Sequence, residues 1–181
     1  MDFTLSTMGT TNKWFVEFGG NYTWNGNGPQ SVVSRHFYIK MPSGKPVYSM
    51  IDGVVRSASL NDNHPDYEVR LSPRTGSYWV VGYDHLENIT VAAGDTVVAG
   101  QQIGVTSTVN TADLEVDISL NGDPSTYFCL SDFFDPSVST SLRTKLAQLM
   151  TDIETVKGDA SLYNQAGHHN TACVLESFQS E

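Results

Sequence analysis

Apolar and polar residues alternate most regularly over "DLEVDISL", residues 113–120, where Leu114, Val116, Ile118 and Leu120 share one face. Asp113, Glu115, Asp117 and Ser119 share the other, because successive side chains of a strand point to opposite sides. The pattern predicts a strand with one face in a core. Three carboxylates on the opposite face repel one another, so either water solvates them or a cation or basic side chain lies over them. From residue 31 to 122 the same theme recurs in short β-branched or aromatic runs: "SVVSRHFYIKM", "PVYSMI", "GVVRSASL", "YEVRLS", "SYWVVGYDHL", "NITV" and "DTVVAGQQIGV". Gly, Pro, Asn and Asp separate them. Strands at this spacing, with no helical pattern between them, predict a mainly β protein, an antiparallel sandwich or barrel.

The two ends read differently. "KWFVEF" predicts a short strand, and "GGNYTWNGNGPQ" after it a turn-rich surface loop. Beyond "DFFDPSVSTS", Leu142, Leu146, Leu149, Met150, Ile153 and Val156 recur at helical intervals. They predict an amphipathic helix over 139–157, capped within Ser137–Ser141, stopped at Gly158 and packed on the β domain. The expected organisation is an N-terminal strand and loop extension over 1–30, a β domain over 31–135, and a C-terminal helix and tail over 136–181.

Composition narrows the function. The chain has 181 residues, enough for one domain with a real core, and a formal charge of −10. Such acidity argues against nucleic acid and against an anionic membrane surface, since both need clustered Lys and Arg. No apolar run is long enough to cross a membrane as a helix, and the N-terminus lacks a basic region followed by an apolar one, so no secretory leader is visible. Cys129 and Cys173 lie 44 residues apart and are read either as a disulfide tying the tail to the domain or as two free thiols. Asn21-Tyr-Thr and Asn88-Ile-Thr are acceptor sequons that matter only in a glycosylating secretory route. His168 and His169 are adjacent and point apart on any regular element, which makes a poor metal site.

Four elements in order carry a family resemblance. His36 precedes "PSGKPVYSMIDGVV"; then come "YDHL", the glycine-bounded hairpin "VAAGDTVVAGQQIGVTS", and "DLEVDISLNG" with its closing Asn-Gly. Together they resemble the lysostaphin-type (LytM-like) zinc metallopeptidases, which cut peptide cross-links in bacterial cell walls. The hairpin alone is shared with biotinyl and lipoyl carriers, but those lack the Tyr-x-His-Leu element. The resemblance implies a LytM-like β fold built from a duplicated hybrid motif.

It also implies a zinc held by the first His of His-x-x-x-Asp, by that Asp, and by the second His of His-x-His. On this chain those positions are His36, Lys40 and Glu115, and the first His of His-x-His is Asp113. Only His36 and the Tyr-x-His-Leu histidine, His85, are kept. A protonated lysine has no lone pair for a metal. Lys40, by pairing with Glu115 or Asp113, would stand in for the missing charge.

The expected former cleft is therefore His36, Lys40, Tyr83, His85, Asp113 and Glu115. No catalytic residue, metal or cofactor is expected there, and His85 reads as a remnant. The leading expectation is a non-catalytic, pseudoenzyme-like binding, regulatory or structural module. Its partner would be a protein or a peptidoglycan-type ligand, with self-association as a further possibility and Tyr78, Trp79, Tyr83, Trp14 and Trp24 as candidate contacts. Two alternatives stay open. One is an active zinc endopeptidase on cell-wall peptides, with His36, Asp113 and Glu115 as ligands and His85 catalytic. The other is a virion or filament subunit. The resemblance favours an extracellular, cell-envelope or virion-associated place, while ligand and oligomeric state cannot be read from these residues.

Overall fold

The computed structural model describes residues 13–24, 30–61, 64–108, 113–123 and 126–179. Its centre is a large antiparallel sheet. Along it run β1 (Phe15–Val16), β4 (Phe37–Lys40), β11 (Asp113–Leu120), β8 (Trp79–Glu87), β7 (Tyr67–Ser72), β6 (Gly53–Leu60) and β9 (Thr96–Val97). β10 (Gln102–Thr106) joins β8 to β5 (Pro46–Tyr48), while β12 (Thr126–Phe128) and β13 (Ser177–Gln179) extend from β11. Every pairing between these strands is antiparallel, as the alternating runs predict. The class is mainly β.

The alternation in β11 is realised. Leu114, Val116 and Ile118 are buried, and they pack in one core with Phe37, Val81 and Tyr83. Gly53, in the "IDGVV" run, lies against β7: a Cβ there would sit 2.3 Å from the Ser72 carbonyl oxygen. Only glycine allows that approach of two backbones.

Three local expectations are corrected. The stretch 19–30 is not only a surface loop, because β2 (Asn21–Trp24) lies in it and pairs with β3 (Gln30–Val33) as a separate hairpin. The run "SVVSRHFYIKM" is accordingly two strands. They part at Ser34, whose hydroxyl donates to the His36 carbonyl at 2.7 Å and closes a tight bend. "NITV" forms no strand: Asn88 takes a left-handed φ of 48°, and Thr90 reaches β10 only through its N–H to Ile103 O and its hydroxyl to Gln102 O.

The helix α1 spans Pro136–Lys157, beginning three residues before the expected start. Its cap is Asp135, whose carboxylate accepts from the Ser137 N–H at 2.8 Å, and Pro136 occupies the first turn, where a missing N–H costs nothing. Gly158 ends it with a φ of 68°. Docking is uneven. Met150 and Ile153 are fully buried, but Leu142, Leu146 and Leu149 are half-buried and line an open apolar cavity of about 760 Å³ against Phe37, Ile39 and Ile118. The tail returns to the body. The Tyr163 hydroxyl donates to Phe15 O at 2.7 Å, and Cys129 and Cys173 form a disulfide, which decides between the two readings of those thiols.

Candidate functional site

β11 pairs β4 with Asp113 opposite Lys40 and Glu115 opposite Tyr38. This register brings His36, just before β4, onto the carboxylate face of β11. Its Nδ1 lies 2.8 Å from a Glu115 oxygen. Burial pulls the His36 pKa down, but the hydrogen bond and charge of Glu115, helped by Asp117 and Asp84, outweigh it and the net direction is up. For Glu115, burial pushes up while His36, His85 and His64 pull harder down. Both partners therefore favour the ionised pair.

Lys40 is buried, at the far end of β4, and its charge is felt by Lys157 on α1. The anticipated Lys40–Glu115 pair does not form, because Glu115 is taken by His36 and the cations acting on it are histidines. The side chain of Asp113 lies outside the described residues, so neither a Lys40–Asp113 pair nor the His36–Asp113–Glu115 ligand set can be placed. Tyr83 is a core residue: its hydroxyl accepts from the Met50 N–H at 2.7 Å, and burial pushes its pKa up to about 12. Trp14 is likewise buried, whereas Tyr78 and Trp79 are exposed and the Trp79 ring lies edge-on to Phe128 and tilted against Phe133. The Trp24 side chain lies outside the described residues. His169 of the tail pairs with Asp132, away from this site.

His85 stands at a break in the sheet. β8 pairs β11 as far as Asp84, and from Leu86 it pairs β10. Against β7 the register shifts there: Val69 faces Tyr83 but Tyr67 faces Leu86, so one extra residue of β8 is squeezed in. The bulge places His85 at a φ of 64°, left-handed and costly for a residue with a Cβ. Its Nδ1 then meets Asp66 Oδ2 at 3.0 Å. Asp66 is held beneath it by the turn between β6 and β7, which the Asn61 N–H closes on the Asp66 carbonyl at 2.8 Å. Asp84 accepts from the His85 N–H at 2.8 Å and from the Asn61 side chain at 2.9 Å.

Burial pulls His85 down, while Asp84, Asp66 and Glu115 raise it further, for a net rise. Burial raises Asp84 despite the charge of His85. Asp117 sits deeper on the same face, with its carboxylate filling the space a side chain at Gly82 would need; burial pushes it up to about 6. The His64 ring lies 5.4 Å from that of His85. Asp66, Asp84, Asn61 and His64 escape a reading by motif. The one signal was the clustered His, Asp and Asn of "NDNHPDY".

Among the described residues, one group of His and carboxylate donors is compact enough for a metal ion: Asp66, Asp84 and His85. The set that the motif aligns with the family's zinc ligands, His36, Lys40 and Glu115, is a poor match for that ion. One of its three members is a buried ammonium, with no donor pair to give.

Residues 34–126, just over half the chain, match the model of peptidase family M23, and the chain belongs to that family. No curated protein matches it. Among solved structures it is similar to the catalytic domain of the antimicrobial peptidase lysostaphin from Staphylococcus simulans, with 23% identity over 50% of this chain and 70% of that one and a TM-score of 0.44. It is similar to LytU, with 20% identity over 63% and 78% and a TM-score of 0.48. It is also similar to a chain of the SpoIIQ–SpoIIIAH pore-forming complex, with 21% identity over 67% and 76% and a TM-score of 0.47. Against the solution structure of lysostaphin the chain spans 48% of that molecule's length.

Proposed function

We propose that this chain is a non-catalytic M23 domain that works by binding, through the cleft where its relatives hold zinc. The observation that carries the reading is the fate of the family's ligand positions. His36 is closed on Glu115 at 2.8 Å, and Lys40, the residue that the motif aligns with the family's aspartate, is a buried lysine. A peptidase of this kind needs three ligands and an open position for water, and a cation among the ligands opposes that ion.

What the cleft offers instead is a set of partly buried acids, Glu68, Asp84, Glu115 and Asp117. This chemistry suits a peptide bearing amines, whether part of a cell-wall peptide or a segment of a protein partner. An envelope or extracellular setting follows on the same reading.

The test is a pair of assays on one sample. Cosedimentation with purified peptidoglycan, and pull-down with a cell-envelope extract, should retain the protein. Glu115→Gln and Asp84→Asn should weaken that retention. Cross-linked wall peptides incubated with the protein and added Zn²⁺ should remain intact. New amino termini released by the parent and not by His36→Ala would overturn the reading and restore an active metallopeptidase.

A further inference from the structure

The bulge in β8 builds a second site that owes nothing to the family's ligand positions. Asp66 is the most telling residue. Its side chain is fully buried, one oxygen meets His85, and the other, Oδ1, has no hydrogen-bond partner. A buried carboxylate oxygen in a folded protein ordinarily has a donor. Here the neighbours include a second carboxylate, Asp84, and Glu115 adds its field to the same histidine. A like charge next to an unsatisfied buried oxygen raises the energy of the site unless a cation shares it.

The donors are arranged for one. Asp66, Asp84 and His85 each supply a ligand atom, and all lie within 4.8 Å of one another. On a tetrahedral ion with bonds of roughly 2.1 Å the ligand atoms lie about 3.4 Å apart, so an inward movement of the side chains by about an ångström closes the set. The scaffold is also formed in advance. Asn61 holds Asp84 at 2.9 Å, and the Asp84 carboxylate braces the His85 N–H at 2.8 Å. Backbone conformation is spent on the same point, since His85 keeps a left-handed φ of 64°. Residues held in such conformations gather at functional sites.

We propose that Asp66, Asp84 and His85 bind a first-row divalent cation, at a place displaced from the family's zinc position. One imidazole nitrogen with two carboxylates suits Zn²⁺ or Mn²⁺ and is a poor match for soft ions. The ion takes the place of the proton between Asp66 and His85, whose ring then keeps its proton on Nε2. The His64 ring stands 5.4 Å from that of His85, beside the same group. With an ion in place, the acidic cleft gains a fixed positive centre that a carboxylate or carbonyl of a bound peptide can reach.

The experiment is metal binding to the whole chain, stripped with chelator and titrated calorimetrically with Zn²⁺ and, separately, with Mn²⁺. The expected result is about one equivalent of at least one of the two ions. Asp66→Asn and Asp84→Asn should each weaken binding by about tenfold or more. Asp84 is only half-buried, so its variant tests the site even if loss of Asp66 harms folding. His36→Ala should leave binding unchanged. In a nitrogen-15 spectrum, Zn²⁺ should shift Nδ1 of His85 and not that of His36. A folded parent that binds neither ion would overturn the proposal. So would binding that survives Asp84→Asn and is lost with His36→Ala, an outcome that would instead revive the family centre and overturn the non-catalytic reading.

Discussion

His36 Nδ1 and a Glu115 oxygen meet at 2.8 Å across the seam between β4 and β11. The pair makes stability depend on pH with a definite sign. His36 has a raised pKa, so its contribution is complete below the ordinary value of 6.5 and is lost as pH rises through the raised one. Glu115 has a lowered pKa, so its contribution is complete above 4.5 and is lost as pH falls through the lowered one. Between those limits the pair should contribute about 2 kcal/mol, as a charge-assisted hydrogen bond in a partly buried place. Glu115→Gln should therefore lower the melting temperature most near the middle of that window and little at alkaline pH. The imidazole midpoint of His36, followed by NMR, should fall in the variant. An unchanged midpoint would mean that the pair is not made in solution.

Asp117 behaves in the opposite sense. Burial raises its pKa from 3.8 to about 6, so the folded state prefers the protonated acid. The penalty is absent below the ordinary value, grows as pH rises through the raised value, and is constant above it. At about 1.4 kcal/mol per unit, ionised Asp117 costs the fold up to about 3 kcal/mol, a net figure that already includes what His36 and Arg70 return through their charges. Asp117→Asn should stabilise the protein by about 1–2 kcal/mol at neutral pH and hardly at all in acid. Urea unfolding at the two pH values checks it. A gain that is equal at both would show that desolvation is not its cause.

What could be read from the residues, and what could not, divides along physical lines. The alternation of β11, the glycine-bounded hairpin and the helix are local patterns, and a period of two or of 3.6 declares itself within a few residues. The motif put His36 and Glu115 in one cleft but offered Glu115 to Lys40, because 79 residues separate His36 from Glu115 and only strand register joins them. Asp66 and Asp84 were not singled out. Asp84 looked like the variable residue of Tyr-x-His-Leu, and Asp66 like turn chemistry, until the bulge at His85 turned the ring onto both. "NITV" misled for the reverse reason: its β-branched residues favour a strand, but Asn88 turns the chain before a ladder can form.

The Cys129–Cys173 disulfide joins the start of the turn before α1 to the tail, where Phe18 exchanges backbone hydrogen bonds with Ala172 and Val174. Replacing both cysteines by serine frees a loop whose closure is worth about 4 kcal/mol by chain entropy, and about 2–4 kcal/mol should be lost. Both sulfur-bearing residues are fully buried, so alkylation of the parent should add no label without reductant and two labels after unfolding and reduction. Unfolding curves of the double serine variant that overlay the parent would show that the tail is held by its other contacts alone.

The last prediction concerns the uneven docking of α1. Ile153 and Met150 are completely buried in the core, whereas Leu146 faces the cavity of about 760 Å³ between the helix and the sheet. Removing methyl groups from a packed position loses both their transfer energy and the contacts of the wall left behind, so Ile153→Ala should cost about 3 kcal/mol. Leu146 already borders open space and is partly wet, so truncating it enlarges a void that exists and should cost about 1 kcal/mol. The same difference governs charge. Leu146→Asp can turn its carboxylate toward water and should leave a folded protein, while Ile153→Asp strands a charge in the core and should not. Urea unfolding of the alanine pair, with circular dichroism of the aspartate pair, tests the ordering. Equal losses at 146 and 153 would mean that the helix closes fully onto the sheet in solution and that the cavity is filled.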